Sequence, residues 1–155
     1  MDEAREDDGR LDGLYNRPGY MMRRCVQTFT GVFHETCAEL GLTIRQYDFL
    51  YVLDAYETVD QDHLARALGL DRSTTGLVVA ILERKRLIER QVKPSDRRKR
   101  SLTITPAGRK MFKAAEAAAR AGADSILVPL DPAERDQLLF LLRRILDARE
   151  ETKKA

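Results

Sequence analysis

The chain has 155 residues, with 27 Lys and Arg, 25 Asp and Glu, and a formal net charge of +2. This length supports one substantial hydrophobic core and leaves little room for a second independent domain. No apolar run approaches ~20 residues, and the acidic N-terminus lacks the pattern of a signal peptide. We therefore expect a soluble, globular, cytoplasmic protein that has no membrane partner.

The N-terminal segment is strongly acidic. Residues 1–13 hold six acids and two arginines and offer little apolar surface, so they cannot offset the entropy cost of ordering. We expect residues 1–14 to form a disordered acidic tail, followed by a single domain over residues 15–150.

The first helix is predicted from Pro18 to Leu40, where apolar residues recur at helical spacing. Its apolar stripe spreads over more than one face, which predicts packing on its own domain and also on a partner chain. Cys25 and Cys37 would lie ~18 Å apart along this helix. We expect two free thiols, buried or half-buried, in a reducing compartment.

Three further helix starts carry capping signals. Thr43 and Gln46 have the spacing of a capping box, and a short link over residues 57–59 precedes a helix capped by Asp60. Gly69 can adopt a positive φ at the end of that helix, and Asp71 can cap the next. Two helices joined by so few residues predict a helix-turn-helix.

The helix after Asp71 has two distinct faces. Apolar residues recur at intervals of three and four, so one face should pack on the core. The core-facing residues are Thr75, Val78, Val79 and Leu82, and the outward residues are Arg72, Ser73, Thr74, Leu77 and Ile81. The first turn of such a helix is where a recognition helix meets base edges and phosphates.

Positive charge is concentrated between Arg84 and Lys110. This segment holds eleven Lys and Arg and only two acids, which gives a local net charge of +9. Residues 87–92 and 101–104 predict the strands of a hairpin, with turn residues at 93–96 and the basic run 97–100 between them. Such a concentration of charge is typical of a phosphate-binding surface.

Two helices are predicted at the C-terminus. Thr105 and Pro106 are typical of the cap and first residue of a helix, which is alanine-rich and ends near Leu127. Residues 131–134 start a final helix with a leucine-rich stripe that needs something to cover it.

Three ordered motifs resemble the MarR family of bacterial transcriptional regulators. They are LARALGLDRSTT, LERKRLIER, and the wing pattern Asp96-x-Arg98 followed by Leu102-Thr103-x-Thr105-Pro106-x-Gly108. The resemblance implies a mainly α fold with a small β-hairpin wing. It implies a winged helix-turn-helix lobe over residues 43–105, with dimerisation helices over residues 18–40 and 106–150.

Two residues depart from the family pattern. Leu77 stands where such proteins often carry a polar or basic residue, and Arg86 stands where they often carry glycine. The second departure predicts that the recognition helix does not end in a glycine cap.

The resemblance also implies a function. It indicates a repressor that binds a pseudo-palindromic operator in double-stranded DNA as a homodimer. In the wing, Asp96 would orient Arg98 through a charge-assisted hydrogen bond, and the neighbouring cations would supply electrostatic affinity. The expected DNA contacts are Arg72, Ser73, Thr74, Leu77, Asp96, Arg97, Arg98 and Lys99.

A small aromatic or phenolic effector, or its acyl conjugate, is implied in the same way. It would bind between the dimerisation helices and the DNA-binding lobe and release the DNA. The aromatic and polar residues expected to line this cleft are Tyr20, Phe29, Phe33, His34, Tyr47 and Tyr51. Aromatic residues at helical spacing also commonly form a core, so both roles stay open.

Other classes of protein have less support. An enzyme is not indicated, because the chain has no phosphate loop, and His34 and His63 are its only histidines. We expect no catalytic residues, no metal and no cofactor, since the cysteines and histidines show no recognisable ligand spacing. The alternative switch is oxidation of Cys25, because some relatives sense oxidants through a cysteine on the first helix.

Overall fold

The computed structural model describes residues 9–56, 58–92 and 100–154. The elements within these residues are α1 (Asp12–Tyr15), α2 (Pro18–Thr36), a 3-10 helix (Ala38–Leu40), α3 (Ile44–Ala55), β1 (Val59–Asp60), α4 (Gln61–Ala67), α5 (Arg72–Arg84), β2 (Ile88–Val92), β3 (Arg100–Ile104), α6 (Pro106–Ile126) and α7 (Pro132–Lys154). The predicted fold class is confirmed: the described chain is mainly α-helical, with one small antiparallel sheet.

The helices begin where local capping signals predict. Four side chains each accept a hydrogen bond from the backbone N–H three residues later, which satisfies a donor that the helix itself leaves free. They are Thr43, Asp60, Asp71 and Thr105. At α7 the capping box is complete, since Asp131 and Glu134 each accept a bond from the other's backbone N–H at 2.9 Å.

The helix predicted over residues 18–40 ends earlier, at Thr36. Its last turn tightens into the 3-10 helix, where the N–H of Leu40 donates to the carbonyl of Cys37 at 3.1 Å. Tightening of this kind is common at helix C-termini, and Gly41 follows with a φ of 59°.

The predicted disordered tail needs correction at its end. Residues 1–8 lie outside the described residues, but Asp12 to Tyr15 form the one-turn helix α1. The Nε of Arg17 donates to the carbonyl of Gly13, and the ring of Tyr15 lies 5.8 Å from that of Tyr20 on α2. These local contacts with the start of α2 hold a segment whose composition alone predicts disorder.

The core lies between α3, α4, α5, the sheet and parts of α2 and α6. Its fully buried side chains include Phe49, Leu50, Leu53, Leu64, Val79, Leu82 and Leu102. The four residues of α5 predicted to face the core are all buried. The outer face of α5 is consequently fixed in direction by packing on its inner face.

The sheet has three strands in the order β1-β3-β2. Strands β2 and β3 confirm the predicted hairpin, and Ile88 pairs with Ile104. The predicted link over residues 57–59 was incomplete, because Val59 and Asp60 form β1 and Val59 pairs with Leu102. Two residues are too few for a periodic pattern, and only their partner on β3 makes them a strand.

The close packing of Gly108 explains why the motif that follows the wing ends in glycine. The hydroxyl of Thr105 accepts from the N–H of Gly108 and lies 3.1 Å from the carbonyl oxygen of Leu87. A Cβ on Gly108 would lie 1.9 Å from that same oxygen. Glycine is therefore required where α6 leaves the sheet.

Helix α7 makes few contacts with the other elements of the described chain. The guanidinium of Arg135 donates to the carbonyls of Leu127 and Leu130, which fixes only its start. Over the residues that the structure describes, neither this helix nor any other combines the length and apolarity needed to span a membrane.

Candidate functional site

The recognition helix α5 presents its predicted outward residues on the surface. Arg72, Ser73 and Leu77 are exposed and Thr74 is half-buried, while Ile81 is also half-buried. Leu77 is 65% exposed, a large value for an apolar side chain in mid-helix. Among the described residues, the outer face of α5 is thus left exposed at Arg72, Ser73 and Leu77.

Polar contacts already organise the first turn of α5. The guanidinium of Arg72 meets the carboxylate of Asp62 on α4 through two 3.0 Å contacts, both in solvent. The hydroxyl of Thr74 donates to Asp71 at 2.7 Å, and this bond, with that from the Thr74 N–H, holds the pKa of Asp71 below its ordinary value. The Thr74 hydroxyl therefore turns only acceptor lone pairs outward.

The backbone at the end of α5 shows how Arg86 fills the position where related proteins often carry glycine. This residue has a φ of 58°, in the left-handed region where glycine is favoured. Its N–H donates to the carbonyl of Glu83 at 2.8 Å, and the N–H of Leu87 donates to that of Leu82 at 3.0 Å. This is a Schellman motif closed by arginine, so the prediction of an end without a glycine cap is confirmed.

The wing is only partly described. Asp96, Arg97, Arg98 and Lys99 lie outside the described residues, and their DNA contacts stay predictions. The two strands that support the wing are paired from Ile88–Ile104 to Val92–Arg100.

A cleft of about 350 Å³ lies between α2, α3 and α6. Its lining residues are Phe29, Val32, Phe33, Ile44, Tyr47, Asp48, Tyr51, Glu116, Ala119, Arg120 and Ala123. Four of the predicted cleft residues are thus brought together: Phe29, Phe33, Tyr47 and Tyr51. The rings of Phe33 and Tyr47 lie 5.5 Å apart, so part of this aromatic set also packs on the core.

The other two predicted cleft residues lie elsewhere. The ring of Tyr20 packs against Tyr15, with the guanidinium of Arg23 5.8 Å from its centroid. His34 is exposed next to Phe33, with the two ring centroids 6.5 Å apart. Helical spacing placed both on α2, but neither belongs to the lining of the cleft.

Three charged lining residues were not singled out from the sequence: Asp48, Glu116 and Arg120. Burial raises the pKa of Asp48 from 3.8 to about 6, and Arg45 opposes this rise. Burial also raises the pKa of Tyr47, with Glu116 adding to the effect. No sequence motif joins these residues, because α3 and α6 meet only in the folded chain.

The two cysteines differ in exposure. Cys37 is buried, with its Sγ 3.8 Å from the carbonyl oxygen of Ala115, whereas Cys25 is exposed on α2. The expectation that both would be at least half-buried was therefore wrong for Cys25, which no described residue covers. Within the described residues no three His, Cys, Asp or Glu side chains cluster closely enough to hold a metal ion.

Helices α2 and α7 carry exposed apolar surface. The large exposed residues of α7 are Leu138, Leu139, Phe140, Leu141, Leu142, Ile145 and Leu146, and those of α2 are Met21, Met22 and Val26. A row of this size is unusual on a monomer and indicates a contact surface.

Comparison with known proteins identifies the family. A sequence model of the MarR family matches residues 40–99. A putative transcriptional regulatory protein for the hcr operon of Thauera aromatica is 36% identical over 112 residues, which are 72% of this chain and 68% of the relative. The chain belongs to the MarR family.

Solved MarR-type structures share the fold. The structure of BpsR from Bordetella bronchiseptica, described in terms of regulation of DNA binding by 6-hydroxynicotinic acid, has a TM-score of 0.80 and 29% identity. The match covers 85% of this chain and 94% of BpsR. The repressor CouR bound to a 23-mer DNA duplex has a TM-score of 0.83 and 29% identity, over 88% of this chain and 97% of CouR. This MarR-family chain is accordingly a transcriptional regulator with a winged-helix DNA-binding lobe.

Proposed function

We propose that this MarR-family chain is a homodimeric repressor that binds a pseudo-palindromic operator and is released from it by an aromatic effector. The observation that carries the proposal is the exposed outer face of α5, held in place by four buried residues on its inner face. A helix held by packing, with an exposed polar first turn, is the element that reads the major groove in helix-turn-helix proteins.

The proposed DNA surface has two parts. On α5, Arg72, Ser73, Thr74 and Leu77 would meet base edges and phosphates, with Leu77 suited to a thymine methyl group. In the wing, Asp96, Arg97, Arg98 and Lys99 would add mainly sequence-independent affinity through phosphates or the minor groove. The DNA-bound CouR, similar over most of both chains, supports this assignment.

The proposed dimer would cover the exposed apolar faces of α2 and α7. Phe140 and Leu146 are 58% and 63% exposed, and burying such side chains stabilises an interface by about 25 cal/mol per Å² of apolar surface. Two-fold symmetry would place two recognition helices roughly 34 Å apart, one turn of DNA.

The aromatic cleft is the proposed effector site. It lies between α2 and α6, which belong to the proposed dimerisation helices, and α3, which belongs to the proposed DNA-binding lobe. An occupant would thus touch elements of both parts and shift their relative position. The relative BpsR, whose DNA binding is described as regulated by 6-hydroxynicotinic acid, supports an aromatic ligand. No observation in the cleft favours oxidation of Cys25 as the switch.

Selection of binding sites from a random DNA pool, combined with light scattering, tests this proposal. We expect a dimer in solution and selected sequences with two inverted half-sites about one helical turn, ~10 base pairs, apart. A monomer, or a selected pool without two-fold symmetry, would contradict it. Candidate aromatic acids and their thioesters are then added to the complex, and DNA release is measured by fluorescence anisotropy.

A further inference from the structure

The first turns of α4 and α5 pack against each other. The Nε2 of Gln61 lies 3.5 Å from the carbonyl oxygen of Arg72, and a Cβ on Gly76 would lie 3.3 Å from the same nitrogen. Gln61 is half-buried, whereas Asp62, the next residue of α4, is exposed. The backbone of Asp62 is consequently held beside the first turn of the recognition helix.

The carboxylate of Asp62 binds one edge of the Arg72 guanidinium. The Nε of Arg72 donates to Oδ1 and its Nη2 donates to Oδ2, each at 3.0 Å. This is the parallel two-bond arrangement that arginine makes with carboxylates. The side chains of Arg72 and Asp62 are 81% and 51% exposed, so the pair contributes little to folding stability. What the pair does set is the direction in which the guanidinium points.

A second edge of the guanidinium stays available for DNA. Arginine has five N–H donors, and Asp62 takes one from Nε and one from Nη2. Because the guanidinium is planar and rigid, the donors that Nη1 and Nη2 share at its end are parallel and point away from the carboxylate. Such an edge matches O6 and N7 of guanine in the major groove, the commonest specific contact of arginine with a base.

An Arg72 side chain without this partner would behave differently. Arginine is long and flexible, and phosphates surround a helix in the major groove, so an unpaired guanidinium would spread over several phosphate contacts. Those contacts add affinity for any sequence and carry no information about the bases. The negative charge of Asp62 also opposes the approach of a phosphate to the same guanidinium.

We propose that Asp62 is a positioning residue that directs Arg72 to a guanine in each half-site of the operator and away from the phosphates. Asp62 itself contacts no base and acts through Arg72. It therefore lowers affinity for random DNA and raises discrimination at one base pair of the half-site. This inference rests on the DNA surface proposed above for α5.

Binding to a systematic set of operator variants tests this role. The full chain is titrated by fluorescence anisotropy with the selected operator, with every base-pair change made symmetrically in both half-sites, and with a random duplex of equal length. We expect one position where the unmodified chain prefers guanine about tenfold or more and where Arg72→Met has no preference. Asp62→Asn should reduce that preference to about threefold or less, and should tighten binding to the random duplex about two- to fivefold.

A double-mutant cycle separates positioning from a simple change of charge. If Asp62 acts through Arg72, Asp62→Asn in the Arg72→Met background should leave every base preference unchanged. Asp62→Ala, which keeps no acceptor, should reduce the guanine preference at least as far as Asp62→Asn does. The matched control is Glu35→Gln, which removes one negative charge from an exposed residue of α2 and should alter neither base preference nor affinity for random DNA.

Three results would overturn the inference. They are a guanine preference that Asp62→Asn leaves intact, a loss of preference spread equally over all positions, and base preferences that Arg72→Met does not change. Each of them leaves the repressor proposal standing, because the unmodified chain still selects and binds its operator. A chain that selects no sequence would contradict that proposal, and this inference with it.

Discussion

The ammonium of Lys85, at the end of the recognition helix, donates to the side-chain oxygen of Gln46 at 3.0 Å and to the carbonyl of Gly41 at 2.7 Å. Gln46 lies in the first turn of α3, directly before Tyr47 and Asp48 of the cleft. One side chain therefore joins the C-terminal end of α5 to the segment that lines the ligand site. The same contact explains why Gln46 does not complete the capping box with Thr43, since its side chain is turned to Lys85.

The first prediction concerns this contact. Lys85→Met should lower the free energy of unfolding by about 1–2 kcal/mol, because it leaves the buried Gln46 amide oxygen without its partner. Urea denaturation measures the loss. Arg84→Met, one residue earlier and exposed, is the control and should change stability little. A double-mutant cycle with Gln46→Leu should show coupling, and additive effects would exclude an energetic link.

Arg86 provides a second prediction. A non-glycine residue in the left-handed region costs about 1 kcal/mol, so Arg86→Gly should raise the free energy of unfolding by about 0.5–1 kcal/mol. Thermal and urea denaturation measure the gain. Arg86→Ala separates backbone strain from loss of the side chain, because alanine is strained in the same way. If both variants are equally stable, the side chain and not the φ angle sets the effect.

Gly108 should tolerate no side chain. Gly108→Ala places a Cβ against the carbonyl of Leu87 and the side chain of Ile104, and we expect a loss of about 2–3 kcal/mol. The control is Gly31→Ala in α2, where no heavy atom lies within 4 Å of the added Cβ. That change should be neutral or stabilise the helix by about 1 kcal/mol. Similar unfolding midpoints for the two variants would contradict the packing explanation.

Asp48 should make stability depend on pH. Since the pKa of its carboxyl is about 6 in the folded chain, against 3.8 ordinarily, the folded state holds the proton more tightly. The resulting stability is fully present below about pH 4 and is lost as the pH rises through 6. Asp48→Asn should therefore be more stable than the unmodified chain at pH 8, by about 1 kcal/mol after allowance for solvent screening, but not at pH 4. A stability difference that is constant from pH 4 to pH 8 would count against the raised pKa.

The last prediction concerns the wing. Arg98→Ala should weaken binding to operator and random DNA alike, and the slope of log affinity against log salt should become shallower by about one unit. Anisotropy titrations at several salt concentrations measure both effects. Arg24→Ala, on the exposed surface of α2, removes the same charge away from the wing and should leave the slope unchanged. Unaltered DNA affinity in Arg98→Ala would remove the wing from the DNA surface.

The sequence by itself determined the features that depend on near neighbours. The caps at Thr43, Asp60, Asp71 and Thr105 use side chains that reach only three residues along the chain. Their positions can therefore be predicted from the order of residues alone. The inner face of α5 follows from helical periodicity, which is likewise local. The motif from Leu102 to Gly108 supported the resemblance to the family. The reason for its glycine could not be seen in the sequence.

Only the tertiary structure decided the features that join distant segments. β1 is a strand because β3 pairs with it, and the cleft gains Asp48, Glu116 and Arg120 because α3 and α6 meet across it. Tyr20 and His34 are aromatic like the residues that line the cleft, but they project from α2 in other directions. A periodic pattern states which residues share a face of a helix. What that face meets depends on the packing of the whole chain.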